Sequence, residues 1–168
     1  MSDKSRERHM NSVRAMDVTS ENFAKFGSVV GAPTVAPTSQ APSYKFWSDL
    51  ANYHIEGETE IGLCTVYRQP RMEITGVERH LKSPEILIPI DAPFILPLLP
   101  DGKPESELEA FRVDIGQAVI VGSGVWHGAC LPVGKPESSY FVIFRRRTPY
   151  EDVEKKLLPP VLIEGNDQ

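Results

Sequence analysis

Seven short apolar runs, at positions 61–67, 72–77, 85–90, 94–99, 110–113, 118–121 and 140–144, crowd one behind another between Ile61 and Phe144. They are rich in Val, Ile, Leu and aromatic residues, and turn residues separate them. No helix of useful length fits in the gaps, so the chain is expected to fold as an all-β sandwich or barrel. The 15 prolines, several beside these runs, suit sheet edges and corners better than a helical bundle. No repeat with the period of a solenoid or propeller is present.

The flanks read differently. Residues 1–15 carry charge without apolar periodicity and are expected to form a disordered arm, leaving residues 16–168 as a single domain. Thr19 or Ser20 can cap a short helix with Phe23 and Phe26 on one face, stopped by Gly27. Residues 31–44 hold Pro, Ser and Thr in the manner of an irregular loop. The segment YEDVEKKLLPP predicts a second short helix, ended by Pro159 and Pro160. A net charge of −5 argues against nucleic acid as a partner. No apolar run approaches the ~20 residues that span a bilayer, and the charged N-terminus is unlike a secretory signal, so a cytoplasmic chain is expected. Cys64 and Cys130 match no zinc-ribbon spacing and are read as reduced, buried thiols.

Two stretches hold the residues capable of chemistry. Glu78 and His80 stand two apart, which on a strand sends both side chains to one face, and Glu85 follows a Lys-Ser-Pro turn that can bring it back toward them. A histidine flanked by carboxylates can bind a divalent ion such as Zn, Mn, Ni or Fe. The alternative is a solvated face that Glu78, Arg79, His80 and Lys82 merely decorate. In GQAVIVGSGVWHG, a strand and a glycine-rich turn place His127 where it can lean into a barrel mouth. Trp126 beside it is either a rim anchor or a ring against which substrate stacks. His54 and the run Arg145-Arg146-Arg147 are read as surface, the latter as a solvated edge or a dimer contact.

Together the two stretches resemble the cupin signatures. Glu78-x-His80, four residues, Glu85 follows the first motif, with glutamate in place of its first histidine. Gly116, five residues, Gly122-Ser123-Gly124, two residues, His127 follows the second, with Gly122 for the motif's proline and Leu131 for its asparagine. A closer resemblance covers residues 17–147. Phe23-Ala24-Lys25-Phe26-Gly27, Glu78-Arg79-His80 with Ile88-Pro89, Lys103-Pro104-Glu105 with Glu109-Ala110-Phe111, and Gly122 to His127 look like the ureidoglycolate lyase family. The chain departs from that family at Glu109, where arginine is usual, and at Pro84-Glu85, where Thr-Gln is usual.

The resemblance implies a cupin-type jelly-roll β-barrel with short N-terminal and C-terminal helices, acting as a homodimer. It also implies cleavage of ureidoglycolate, a small carboxylate, to glyoxylate and urea in purine (allantoin) breakdown. Such a reaction needs a base, an acid and a cation for the carboxylate. His127 and His80 are the acid–base candidates, with Glu78 as their partner. Alternatively His80, Glu85, His127 and Glu78 are ligands of an ion. Arg71 and Arg68 are the carboxylate clamps favoured by strand alternation, ahead of Lys82, while Trp126 is the candidate stacking ring. Two other readings stand beside the lyase: a metal-dependent cupin enzyme acting on another small hydroxy or keto acid, and a non-catalytic cupin that binds small acids.

Overall fold

In a computed structural model, which describes residues 11–165, each of the seven apolar runs forms a strand, with Met72 and Ile90 falling one residue outside theirs. The elements in order are β1 (Asn11–Arg14), β2 (Met16–Asp17), α1 (Ser20–Phe23), β3 (Gly27–Val30), β4 (Ser39–Ala41), β5 (Tyr44–Phe46), β6 (Thr59–Tyr67), β7 (Glu73–Arg79), β8 (Glu85–Pro89) and β9 (Phe94–Leu99). A 3₁₀ turn (Glu105–Glu107) leads to β10 (Glu109–Val113), β11 (Ala118–Val121), β12 (Trp126–His127), β13 (Leu131–Pro132), β14 (Glu137–Arg145), α2 (Thr148–Glu151) and β15 (Glu154–Glu164).

The larger sheet runs β1-β15-β7-β12-β9-β10-β2, with β13 also on β9; the smaller runs β3-β11-β8-β14-β6. The two face each other across a core that includes Phe94, Leu96, Leu98 and Phe111 from one side and Leu87, Val119, Val121 and Val142 from the other. The larger sheet curls until β1 touches β10, enclosing a second core with Ile95, Leu99, Trp126, Val161 and Ile163. This nearly closed barrel, with only two short helices, is of the all-β class that the sequence implies. Strand β9 is buried on both faces, which is why FILPLL is a continuous apolar run. Its Pro97 lacks an N–H, and it falls where the partner ladder breaks between β12 and β13.

The short helix forms as expected. Thr19 Oγ1 accepts the Asn22 N–H at 3.1 Å, and Asn22 Oδ1 accepts the Thr19 N–H at 2.8 Å. Phe23 and Phe26 pack edge-on against Phe111, with ring centroids 5.3 and 5.7 Å away. Gly27 (φ +156) passes so close to β11 that an added Cβ would lie 1.8 Å from the Ile120 carbonyl oxygen. Lys25 forms an ion pair with Glu109, which gives the departure at Glu109 a local partner.

Three expectations are corrected. Residues 11–15 do not belong to an arm: Asn11–Arg14 pairs in parallel with β15, and Val13 and Ala15 pack on the second core. Residues 1–10, including His9, lie outside the described residues. The loop at 31–44 contains most of a hairpin, β4 against β5. The C-terminal segment forms only the one-turn α2 and then the strand β15, antiparallel to β7. Pro159 and Pro160 do not end a helix. They sit in the register shift between Leu157 and Val161, where no ladder N–H is required. Cys64 and Cys130 are both free thiols, Cys130 buried and Cys64 partly so.

Candidate functional site

Strand alternation on β7 turns Glu78 toward the space between the sheets and Arg79 away from it. Glu78 pairs in register with His127 of β12, which brings the two sequence motifs side by side. The Gly124 N–H of the glycine-rich turn donates to the His80 carbonyl at 2.6 Å, and the Gly122 N–H donates to the Phe26 carbonyl at 2.8 Å. A proline at position 122 could not make the second bond. Gly128 lets the chain pass closely against Ile74 and Pro97 just after His127, since a Cβ there would stand 3.2 Å from Ile74 Cδ1 and 3.3 Å from Pro97.

Four side chains converge. His127 Nε2 lies 3.0 Å and His80 Nε2 3.7 Å from the same Glu85 oxygen, Oε2. Ligating atoms of Glu78, His80 and His127 all lie within 4.8 Å of one another. His80, Glu85 and His127 are buried, yet among the described residues His80 Nε2, Glu85 Oε2 and His127 Nε2 have no hydrogen-bond partner. The 3.0 Å contact is therefore an ion-pair approach that lacks hydrogen-bond alignment. Buried polar atoms are almost always satisfied, so three unsatisfied ones around one space point to a group that fits between them. Two imidazoles with a carboxylate are a donor set for a first-row divalent ion, so Glu78, His80 and His127 form a possible metal site.

The surroundings tune these groups. His80 Nδ1 donates to the Asp152 carbonyl at 2.8 Å, which leaves the Nε2 lone pair directed into the site. The Asp152 carboxylate accepts the N–H groups of Leu81 at 3.0 Å and Lys82 at 2.8 Å, holding the turn that carries His80. Burial alone would lower the His127 pKa, but the Glu85 carboxylate outweighs it and holds the imidazole above its ordinary 6.5. Burial likewise pushes Glu85 up, and the His127 and His80 imidazoles more than reverse this, leaving it below 4.5. Three adjoining cavities of about 330, 350 and 560 Å³ share Glu78 as a wall. Leu87, Leu96, Tyr140, Val142 and Phe144 supply the apolar side.

The family model for ureidoglycolate lyase matches residues 10–164. This chain belongs to the ureidoglycolate lyase family. It is similar to the ureidoglycolate lyase of Mesorhizobium japonicum, 29% identical over 79% of this chain and 86% of that one. It is also similar to that of Burkholderia mallei, 30% identical over 91% of this chain and 93% of that one. Among solved structures, RmlC from Streptococcus suis overlays on 54% of this chain and 45% of its own, with a TM-score of 0.41 and 14% identity.

For this member of the ureidoglycolate lyase family, Glu78, His80, Glu85 and His127 come together as the spacing suggests. The expected substrate-binding residues do not join them. Trp126 faces the second core: Nε1 donates to Asp101 Oδ1 at 3.1 Å, and the Arg79 guanidinium stacks 4.4 Å over the ring. The ring is placed as a wall anchor outside the three cavities, because β12 alternates and His127 takes the inward face. Arg68 and Arg71 are exposed, Arg71 lies 3.5 Å from Glu73, and neither lines the three cavities. Lys82 is also exposed and outside them. Arg79 forms ion pairs with Glu154 and Asp101 on the outer face. His54 is exposed, and Arg146 and Arg147 form ion pairs with Glu58 and Glu151. Leu131, at the position of the cupin asparagine, is buried in the second core. Two residues near the site come from the segment read as a helix: Asp152, which braces His80, and Lys155, which lines two of the cavities. No local signal marks either one, because both are placed by the pairing of β15 with β7.

Proposed function

We propose that the chain is a ureidoglycolate lyase, cleaving ureidoglycolate to glyoxylate and urea in purine breakdown, with a divalent ion held by Glu78, His80 and His127. The observation that carries this reading is the cluster of unsatisfied buried atoms, His80 Nε2, Glu85 Oε2 and His127 Nε2, in a chain of this family. An ion held by these residues would act as a Lewis acid that polarises the substrate hydroxyl. Glu85, beside both histidines, accepts the hydroxyl proton as the C=O bond of glyoxylate forms. The C–N bond breaks, its electron pair stays on the ureido nitrogen, and that nitrogen takes up the proton as urea leaves. The apolar wall of Leu87, Leu96 and Val142 lowers the local dielectric and strengthens these interactions.

The 3.0 Å approach of His127 to Glu85 favours a second, ion-free reading, in which Glu85 is the base and the protonated His127 is the acid. Glyoxylate release from ureidoglycolate, followed before and after chelation with metal content measured in parallel, separates the two. Failure of well-folded protein to release glyoxylate under either condition would sink the lyase assignment. Activity that survives complete loss of metal would leave the Glu85–His127 version standing.

The same reading makes the protein a cytoplasmic homodimer. Among the described residues strand β6 is an edge of the smaller sheet, and its Ile61 and Leu63 are 71% and 62% exposed, Leu63 in register with Phe141 of β14. A second copy is the proposed cover, because the strip is apolar and a two-fold axis would match it to itself. Light scattering of wild type against Leu63→Arg tests this, with a monomer expected for the variant.

A further inference from the structure

We infer that Lys155 is the residue that binds the substrate carboxylate. The inference rests on the function proposed above, but its chemistry is wider: it concerns any small α-hydroxy or α-keto acid at this site. Lys155 stands opposite Glu78 in the β15–β7 register, so its side chain leaves the sheet on the face that carries Glu78 and His127. Its neighbours take the other face. Glu154 pairs with Arg79, and Lys156 Nζ lies 5.8 Å over the Trp126 ring.

Lys155 lines one cavity with Glu78, His127 and Lys156, and another, which Lys156 does not line, with Glu78, His80 and Glu85. Among the described residues, no arginine lines either cavity. Among the described residues Lys155 forms no ion pair, whereas Arg79, Arg146 and Arg147 are each engaged by carboxylates. The charges require such a group. Glu78 and Glu85 together neutralise a divalent ion, so an incoming carboxylate meets no net attraction at the centre. An ammonium at the mouth supplies it and orients the acid with its carboxylate toward β15.

The test compares Lys155→Met, Lys155→Arg and Lys156→Met in metal-replete protein, with CD spectra to confirm folding. For Lys155→Met the expected result is a KM for ureidoglycolate raised roughly 10–100-fold, with a smaller change in kcat, as for loss of one charge-assisted contact. Lys155→Arg should restore most of the loss, and Lys156→Met, which removes an ammonium lying over Trp126 at the first cavity alone, should raise KM several-fold less than Lys155→Met; an equal or larger rise would move the carboxylate contact to Lys156 and overturn the inference. A Lys155→Met KM within about twofold of wild type overturns the inference. A second arm needs no turnover: thermal stabilisation by glyoxylate and by oxalate. If wild type fails to cleave ureidoglycolate but is stabilised by these acids and Lys155→Met is not, the lyase reading fails and the Lys155 assignment stands. Equal stabilisation of both proteins, or of neither, overturns the assignment.

Discussion

Replacing Asp152 with alanine tests whether the turn after α2 builds the site from outside. The variant keeps the carbonyl that receives His80 Nδ1–H, but it loses the carboxylate bonds from Leu81 (3.0 Å) and Lys82 (2.8 Å). Hydrogen bonds to a charged acceptor contribute about 1.5–3 kcal/mol each, and Asp152 is partly exposed, so the lower end applies: about 3 kcal/mol for the pair. In a chain of this length that lowers Tm by about 6–12 °C. The ion site should suffer separately. With residues 81 and 82 released, the His80 ring is no longer held against the Asp152 carbonyl. Weakening the outer partner of a ligating histidine typically costs about 10–100-fold in ion affinity.

Thermal melts in chelator measure the first effect, and zinc titration against a chromophoric competitor measures the second. Asp152→Asn keeps one acceptor oxygen but turns an amide NH₂ toward a backbone donor, so it should recover less than half of the stability. An alanine variant that melts within about 2 °C of wild type and binds zinc equally well would refute the reasoning. Asp152 would then be a bystander of the turn.

Gly27→Ala should be among the most damaging small substitutions, by about 3 kcal/mol or more, because the new methyl meets the fixed Ile120 carbonyl and not a movable side chain; denaturant midpoints measure it. Trp126→Phe loses the bond to Asp101, so stability should fall by about 1 kcal/mol while KM stays unchanged; a raised KM would return Trp126 to the substrate site. His80→Ala and His127→Ala should each reduce glyoxylate release by at least about 100-fold, whereas Arg71→Ala and Lys82→Ala, outside the cavities, should stay within about twofold. For pH, a raised His127 pKa contributes stability that is full below 6.5 and is lost as pH rises through the raised value. A lowered Glu85 pKa contributes stability present above 4.5 and lost as pH falls through the lowered value. Ion-free protein should therefore lose Tm as pH rises above 6.5, while zinc affinity changes in the opposite sense, weakening as pH falls through the raised His127 value, since binding requires that proton to leave.

What the sequence discloses here and what it hides follow from the range of the interactions involved. Glu78 and His80 share a face because of a two-residue period, and His127 turns inward because a glycine corner follows a strand; both are local rules, and both hold. The seven runs are equally local, each apolar enough to be buried whatever lies beside it. The C-terminal segment obeys no such rule. Glu151, Glu154, Lys155 and Lys156 give it the composition of a solvated helix, and nothing within it announces that β7 needs a neighbour along its whole length. The two-residue β12 covers only one point of one edge of β7, while β15 pairs with the other from Arg79 to Glu73. That demand arises about 75 residues away in the chain and overrides helical propensity, with the two prolines absorbed in the register shift. The error then propagates into the site. With β15 taken for a helix, the only cations near Glu78 in sequence are Arg68, Arg71, Arg79 and Lys82, so a carboxylate clamp is sought among them. Once β15 lies against β7, Lys155 stands across from Glu78 and Asp152 stands behind His80, and both enter through a strand pairing that no short motif encodes.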